Sequence, residues 1–326
     1  MRKLTVTRES WPIAGTFTIS RGSKTAADVV VVTLEEDGVR GRGECVPYSR
    51  YHETVDGVVE ALEKARKQIE ADADRNGIAA FLSPKAARNA LDCALWDLEA
   101  KKAGKPVWRL AGLSQPKELV TAYTISLDTA EAMTGAVAKA ASRPLLKLKL
   151  GRDGDTERLK AIRKAAPESR LIVDANEGWT PENLASMLEA CAEAGVELVE
   201  QPLPSANDEA LRHVAHAVPI CADESAHGIE SLPSLAGKYE AINIKLDKTG
   251  GLTDALKLAR AAQSQGFGIM TGCMLATSLA MAPAFLIALL GTVVDLDGPL
   301  LLAKDREPGI RYEGSLMFPP PPELWG

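Results

Sequence analysis

The chain has 326 residues, 46% of them hydrophobic, with 38 Lys and Arg against 44 Asp and Glu. That length and composition suit one large domain or a barrel with a smaller domain attached, and either buries a sizeable core. A formal charge of −6 without any basic cluster excludes a surface built for a phosphate backbone, so nucleic acid is not an expected partner.

Met1 to Thr5 are not followed by an apolar run, so no secretory signal is read and a cytoplasmic location is expected. Val29 to Leu34 is a β-branched stretch, and the turn at Glu36-Asp37-Gly38 predicts a hairpin into Val39 to Cys45. A helix is predicted from Thr54 to Ala71. A second is opened by Ser83 as N-cap and Pro84 at the first helical position, with Leu91, Leu95 and Leu98 on its apolar face. Strands first and helices after make this an α+β unit, placed at residues 1–112.

From about Glu118 the pattern becomes short apolar strands separated by helical stretches. The strands end near Thr124, Lys149, Asp174, Glu200, Asp223, Lys245, Thr271 and Asp295, in steps of 22 to 26 residues. Eight strands at so even a step predict a (β/α) barrel over residues 113–298. Intervening helices are predicted at Thr156–Ala165, Pro181–Ala194 and Thr253–Gln265, with Gly195 and Gly266 as stops.

His213 and His216 are spaced to share a helix face and are read as a solvated pair. No H-E-x-x-H is present, and the five widely spaced cysteines (Cys45, Cys93, Cys191, Cys221, Cys273) read as reduced thiols. Gly266 to Val294 carries no charge, but Gly272, Pro283 and Gly291 divide it into a strand, a loop and a buried helix, so no membrane partner is expected.

Residues 145–151 read L-L-K-L-K-L-G. Alternation puts Lys147 and Lys149 on one face and Leu146, Leu148 and Leu150 on the other. On a half-exposed sheet the lysines would face water. In a barrel strand the leucines face the helices and both lysines point inward near the mouth, where active sites lie.

Three successive strand ends carry acids: Asp174, Glu200 and Asp223. Any one could be a structural hydrogen-bonding group. Three converging on one rim repel each other unless a cation sits among them, and oxygen-only ligands suit Mg²⁺, one per subunit. Lys149 lies one strand before the acids and Lys245 one strand after. Strands two and six of eight are opposed, so the two lysines can act on opposite faces of one carbon. The arrangement suits proton abstraction beside a carboxylate through an enediolate, one lysine removing the proton and the other returning one, with inversion at the α-carbon.

The K-x-K of Lys147 and Lys149, with Asp174, Glu200, Asp223 and Lys245, resembles the muconate-lactonizing subgroup of the enolase superfamily over nearly the whole chain. A lysine base with Mg²⁺ is a general feature of enolase-superfamily sites. The resemblance implies an α/β fold, a modified (β/α)₇β TIM barrel under an N-terminal α+β capping domain, with residues 299–326 returning to the cap.

On the eighth strand, V-V-D-L-D-G-P places Asp295 and Asp297 on one face. Toward the mouth they would form an anionic site that a free ammonium satisfies; alternatively, Asp297 is an N-cap or turn residue before Gly298-Pro299. A dipeptide supplies an ammonium at one end and a carboxylate at the other. The D-x-D resembles the signature of dipeptide epimerases, and N-I-K-L-D-K-T-G-G-L with G-C-M-L-A-T-S is similar to the L-Ala-D/L-Glu epimerases, whose place is in recycling of murein peptides.

The likeness implies that Thr124, Lys147, Cys273 and Met274 line the substrate site and that Arg21, in a flexible cap stretch, holds an acidic side chain. Arg50 and His52 lie in a second lid loop without an assigned role. Other readings stay open: an N-acylamino-acid racemase, a Schiff-base lyase using one lysine, or a non-catalytic peptide-binding protein. The expected partner is a small-molecule dipeptide, and the chain is expected to form a homo-oligomer.

Overall fold

A computed structural model describes the chain from Met1 to Gly326, the side chain of Asp72 excepted. It begins with an antiparallel sheet of β1 (Lys3–Ile19), β2 (Gly22–Glu36) and β3 (Val39–Cys45), in that spatial order. Sequence reading predicted the β2–β3 hairpin but not β1. That strand is exposed along most of its length and its register shifts between Pro12 and Phe17, so it offers no sustained alternation. The segment around Arg21, expected to be flexible, is the tight turn of the β1–β2 hairpin.

Two helices cover the sheet. In α1 (Val55–Asp72) the Thr54 side chain caps by accepting from Gly57 N. In α2 (Lys85–Ala103) the cap is Pro84 rather than Ser83, because Pro84 keeps an extended ψ of 129° while its carbonyl accepts the first helical hydrogen bond, from Arg88 N. Val30, Val32 and Leu34 of β2 pack against Leu91, Leu95 and Leu98 of α2. The helix lies so close to β3 that a methyl group at Gly43 would stand 2.1 Å from the Ala90 carbonyl oxygen.

Short α3 (Val107–Leu110) and β4 (Leu119–Val120) lead to the barrel strands β5 (Tyr123–Ile125), β6 (Leu145–Lys149), β7 (Arg170–Asp174), β8 (Val196–Glu200), β9 (Ile220–Ala222), β10 (Ala241–Ile244), β11 (Gly268–Gly272) and β12 (Val293–Asp295). They form one parallel sheet in chain order, and its two edges meet where Ala122 N donates to Val294 O at 2.8 Å. Outside run α4 (Ala130–Lys139), α5 (Asp155–Ala165), α6 (Pro181–Glu193), α7 (Leu232–Leu235), α8 (Leu246–Thr249), α9 (Leu252–Ser264) and α10 (Ser278–Ala288). After the barrel come α11 (Gly298–Leu301), β13 (Tyr312–Glu313) and β14 (Leu316–Met317), the last pairing with β4.

Between β8 and β9 there is only a 3₁₀ segment, Glu209–His213. His213 is exposed at its end, whereas His216 lies beyond it against Glu240 and the Leu211 carbonyl, so the two do not share a helix face. The uncharged stretch divides into β11, a loop and α10; among the described residues no helix is long and apolar enough to cross a membrane.

Strand periodicity sets the barrel interior. Leu145, Ile172, Leu198, Cys221, Ala241 and Met270 form an apolar floor, and two residues further along several of these strands the inward side chains turn polar. Leu146, Leu148 and Leu150 pack outward among the helices. All five cysteines are free thiols, four of them buried.

The cap is joined to the barrel by buried polar groups. Glu44 accepts from Thr277 N at 2.9 Å and from Arg306 at 2.6 Å, and Asp247 accepts from Val46 N at 3.1 Å and Asn89 Nδ2 at 2.8 Å. Residues 324–326 dock on the cap: Arg42 donates to Leu324 O at 2.8 Å, Trp325 Nε1 to Cys93 O at 3.0 Å, and Gly326 N to Asp97 at 2.7 Å.

Two stability outcomes follow from this packing. Gly43→Ala will lower unfolding free energy by about 3 kcal/mol in urea titrations, because the helix must lift from the sheet. Gly38→Ala, at φ +78° in open space, will cost only about 1 kcal/mol. Burial pushes Asp247 up to about 7, so the folded state keeps a proton that the unfolded state releases near pH 4. Its contribution to stability is therefore lost as pH rises from about 4 to 7. Asp247→Asn, neutral throughout, will gain stability relative to the parent across that window, read from urea midpoints at each pH.

Candidate active site

The barrel register sets Lys149, Asp174 and Glu200 side by side on β6, β7 and β8, and Asp223 follows two residues after Cys221, which is level with Glu200. Lys147 Nζ lies 2.5 Å from Glu200 Oε2, 2.7 Å from Asp295 Oδ2 and 3.2 Å from Asp174 Oδ2. Lys149 Nζ lies 2.6 Å from Asp174 Oδ2, and across the barrel Lys245 Nζ lies 2.7 Å from Asp223 Oδ2. All seven charged groups are buried.

Burial disfavours every one of these charges, and neighbours decide the outcome. Against burial, Lys149, Lys147 and Lys245 hold Asp174 below the usual carboxylate range, and Lys245 with Lys248 holds Asp223 well below it. Glu200 goes the other way: burial and the Asp174 charge push it up to about 7. The carboxylates outweigh burial at Lys147 and Lys245 and raise both well above the ordinary ammonium range.

Sequence reasoning missed two supports of this lattice. Lys248 is fully buried and donates to the Asp223 side chain and carbonyl, both at 2.5 Å, and to Asn243 O at 2.9 Å. Asn243 Nδ2 donates to Glu200 Oε1 at 2.7 Å. Both were readable in N-I-K-L-D-K: Asn243 is two residues before Lys245 on a strand, Lys248 three after it in the helical turn α8.

The D-x-D pair lines a small cavity of about 30 Å³ with Thr124, Lys147 and Cys273; it shares Lys149, Lys245 and Cys273 with the main cavity. Asp295 Oδ1 is buried without a hydrogen-bond partner, although Oδ2 meets Lys147. Asp297 opens α11 as its N-cap residue and accepts from Thr124 N at 2.6 Å; burial and the Asp295 charge push it up to about 7. Its side chain makes no cap hydrogen bond, so it holds the N-cap position through its backbone alone. Thr124 enters through its backbone. Cys273 and Met274 line the main cavity, and burial raises the Cys273 thiol, which keeps it protonated.

That cavity is about 380 Å³ and lies between the barrel mouth and two cap segments, the Arg21 turn and residues 48–51. Arg21 Nη2 donates to Glu224 Oε1 at 2.6 Å, and Nη1 to Glu177 Oε2 at 3.2 Å. Arg50 grips the same Glu177 with two hydrogen bonds, 2.9 and 2.8 Å, and so ties the second cap segment to the barrel. His52 is exposed and outside the cavity. Glu177 and Asn176 have positive φ, 64° and 46°, which folds the loop after β7 back toward the cap. Burial, with Asp223 and Asp174 nearby, pushes Glu224 up to about 7.

Among the described residues no three His, Cys, Asp or Glu side chains stand in a geometry that would hold a metal ion as they are. The donor set nevertheless suits a hard cation. Asp174, Glu200 and Asp223 are oxygen donors on three adjacent strands, and Glu200 Oε2 has no hydrogen-bond partner beyond its ion pair with Lys147.

A capped parallel barrel with opposed lysines and three acids at one rim defines a class of enzymes that move protons on carbon acids. Residues 1–112 match the mandelate racemase/muconate lactonizing enzyme N-terminal domain, and residues 128–314 match the enolase C-terminal domain-like family. The chain belongs to the mandelate racemase/muconate lactonizing branch of the enolase superfamily, and it is an isomerase. It is 46% identical over 314 residues to an L-Ala-D/L-Glu epimerase of Escherichia coli K12, covering 96% of this chain and 98% of that one. It is 43% identical to an N-acetyl-D-glutamate racemase of a Pseudoalteromonas species, covering 91% and 95%. A solved enolase family member from Agrobacterium tumefaciens, with homology to dipeptide epimerases and with bound sodium and L-Ala-L-Glu, covers 100% of both chains at 52% identity and TM-score 0.98.

Because one carboxylate restrains both cap segments, Glu177→Ala will loosen both at once. Trypsin will cut the folded protein after Arg21 and Arg50 faster than the parent, by on the order of tenfold, with fragments identified by mass spectrometry.

Proposed function

We propose that this protein is a dipeptide epimerase that inverts the α-carbon of the C-terminal residue, with L-Ala-D/L-Glu as the preferred pair. The observation that carries the reading is the placement of Lys149 at the end of β6 and Lys245 just after β10, opposed across a barrel mouth where Asp174 ends β7, Glu200 ends β8 and Asp223 directly follows β9. In this reading residues 1–112 are the cap, 113–298 the catalytic barrel and 299–326 the segment that returns to the cap.

Asp174, Glu200 and Asp223 would hold one Mg²⁺. When bound, the ion supplies Lewis-acid stabilisation of the extra negative charge on the substrate carboxylate and relieves the lysines of neutralising the three acids. Lys149 and Lys245 do the proton work, one withdrawing the α-proton and the other returning a proton to the opposite face. Lys147 is buried against three carboxylates and stays protonated as a fixed countercharge. Lys248 and Asn243 orient Asp223 and Glu200.

Asp295 and Asp297 receive the substrate's free ammonium, Thr124 holds Asp297 in place through its backbone N–H, and Arg21 faces the acidic side chain. Cys273 and Met274 form the wall. The relative that racemises N-acetyl-D-glutamate makes an acylated substrate the second reading. The unpartnered Asp295 Oδ1 favours the dipeptide, since an acylated nitrogen brings no positive charge to it.

The test is proton NMR in D₂O with Mg²⁺, comparing L-Ala-L-Glu with N-acetyl-L-glutamate. The expected outcome is loss of the glutamate α-proton signal together with new L-Ala-D-Glu resonances, and little turnover of the acylated compound. Preference for N-acetyl-L-glutamate would replace the dipeptide reading with the racemase one. Chelation of the divalent ion will abolish exchange, and Mg²⁺ will restore it. Lys149→Ala and Lys245→Ala will each lower epimerisation by on the order of 10³. Each variant will retain α-proton exchange on only one diastereomer, the opposite one in each case.

A further inference from the structure

Arg21 is the cation that the proposed function assigns to an acidic side chain, yet its guanidinium is already engaged. Nη1 donates to Asn176 O at 2.9 Å and Glu177 Oε2 at 3.2 Å; Nη2 donates to Glu224 Oε1 at 2.6 Å and lies 3.5 Å from the Tyr48 hydroxyl. Four of the five N–H donors of an arginine are thereby used. The two carboxylates differ. Glu177 is also held by Arg50 and by Ser205 N, which leaves it fully occupied as a tie between cap and barrel. Glu224 has no such second partner: it is 2% exposed, lines the substrate cavity, and its Oε2 is buried without a hydrogen-bond partner.

A substrate carboxylate that approaches Arg21 through the cavity meets Glu224, which lines that cavity and holds Nη2 at 2.6 Å. Two carboxyl groups then meet over one guanidinium. A side chain that carries both an acceptor and a donor has no such conflict. The amide of glutamine can accept from Arg21 through its oxygen and donate to Glu224 Oε2 through its NH₂.

We propose that Glu224 is a specificity-determining residue that competes with the substrate's acidic side chain for Arg21 and opens the pocket to dipeptides ending in an amide-bearing residue. The inference rests on the dipeptide-epimerase reading and on Arg21 facing the side chain.

The experiment compares kcat/KM for L-Ala-L-Glu and L-Ala-L-Gln in the parent, Glu224→Gln and Glu224→Asp. Glutamine at 224 removes the competing charge and offers an N–H to the substrate carboxylate. The ratio of L-Ala-L-Glu to L-Ala-L-Gln will rise at least tenfold in Glu224→Gln, through a lower KM for L-Ala-L-Glu. Aspartate draws the carboxylate back by one methylene, so Glu224→Asp moves the ratio the same way by less, and it decides the matter if the glutamine variant fails to fold. A ratio that is unchanged or lower overturns the proposal, because Glu224 then only holds Arg21 in position. A parent enzyme that epimerises neither dipeptide overturns the dipeptide reading instead, and this inference with it.

Discussion

The mouth of the barrel is built on mutual neutralisation of buried charge. Lys147, Lys149, Lys245 and Lys248 interleave with Asp174, Glu200, Asp223 and Asp295 at separations of 2.5 to 3.2 Å, in a region with almost no exposed side chain. Removing either member of such a pair leaves a lone buried charge, at a cost of about 3–5 kcal/mol. The strands therefore have to present these residues at fixed heights. Parallel pairing does this, since it aligns Lys149 with Asp174 and Asp174 with Glu200 by backbone register alone.

That constraint explains what was legible in the sequence. A strand in this barrel begins with an apolar inward residue on the floor and turns polar one or two steps later, so a charge ending an apolar run marks the mouth. Six of the eight strand ends, and with them the lysine and acid positions, follow from that signature; Thr124 and Thr271 close their strands with an uncharged polar group. β1 was not legible because most of its side chains meet water and Pro12 interrupts it. The partners of Arg21 were not legible either: Glu177 and Glu224 lie 156 and 203 residues away, and only the folded barrel brings them under the cap. The exposed surroundings and loose alternation of a cap turn give no hint of them.

The cap and barrel are therefore one functional unit. In the proposed reaction the barrel would supply the groups that act on the α-carbon, and the cap those that meet the side chain. Between them, Glu44 and Asp247 are buried carboxylates donated to by the other body, so the seam is polar and directional rather than a sliding apolar face. Asp247 stands two residues after Lys245, and its hold on Val46 and Asn89 fixes the start of α8 against the cap.

The docking of residues 324–326 on α2 has a consequence for biosynthesis. Arg42 and Leu324 meet across 282 residues of chain, and Trp325 reaches Cys93 across 232. The cap emerges from the ribosome before the barrel does, but it cannot acquire these contacts until the whole barrel has been translated. The part of its surface that Trp325 covers stays open through that interval, so the cap is finished only after the barrel is.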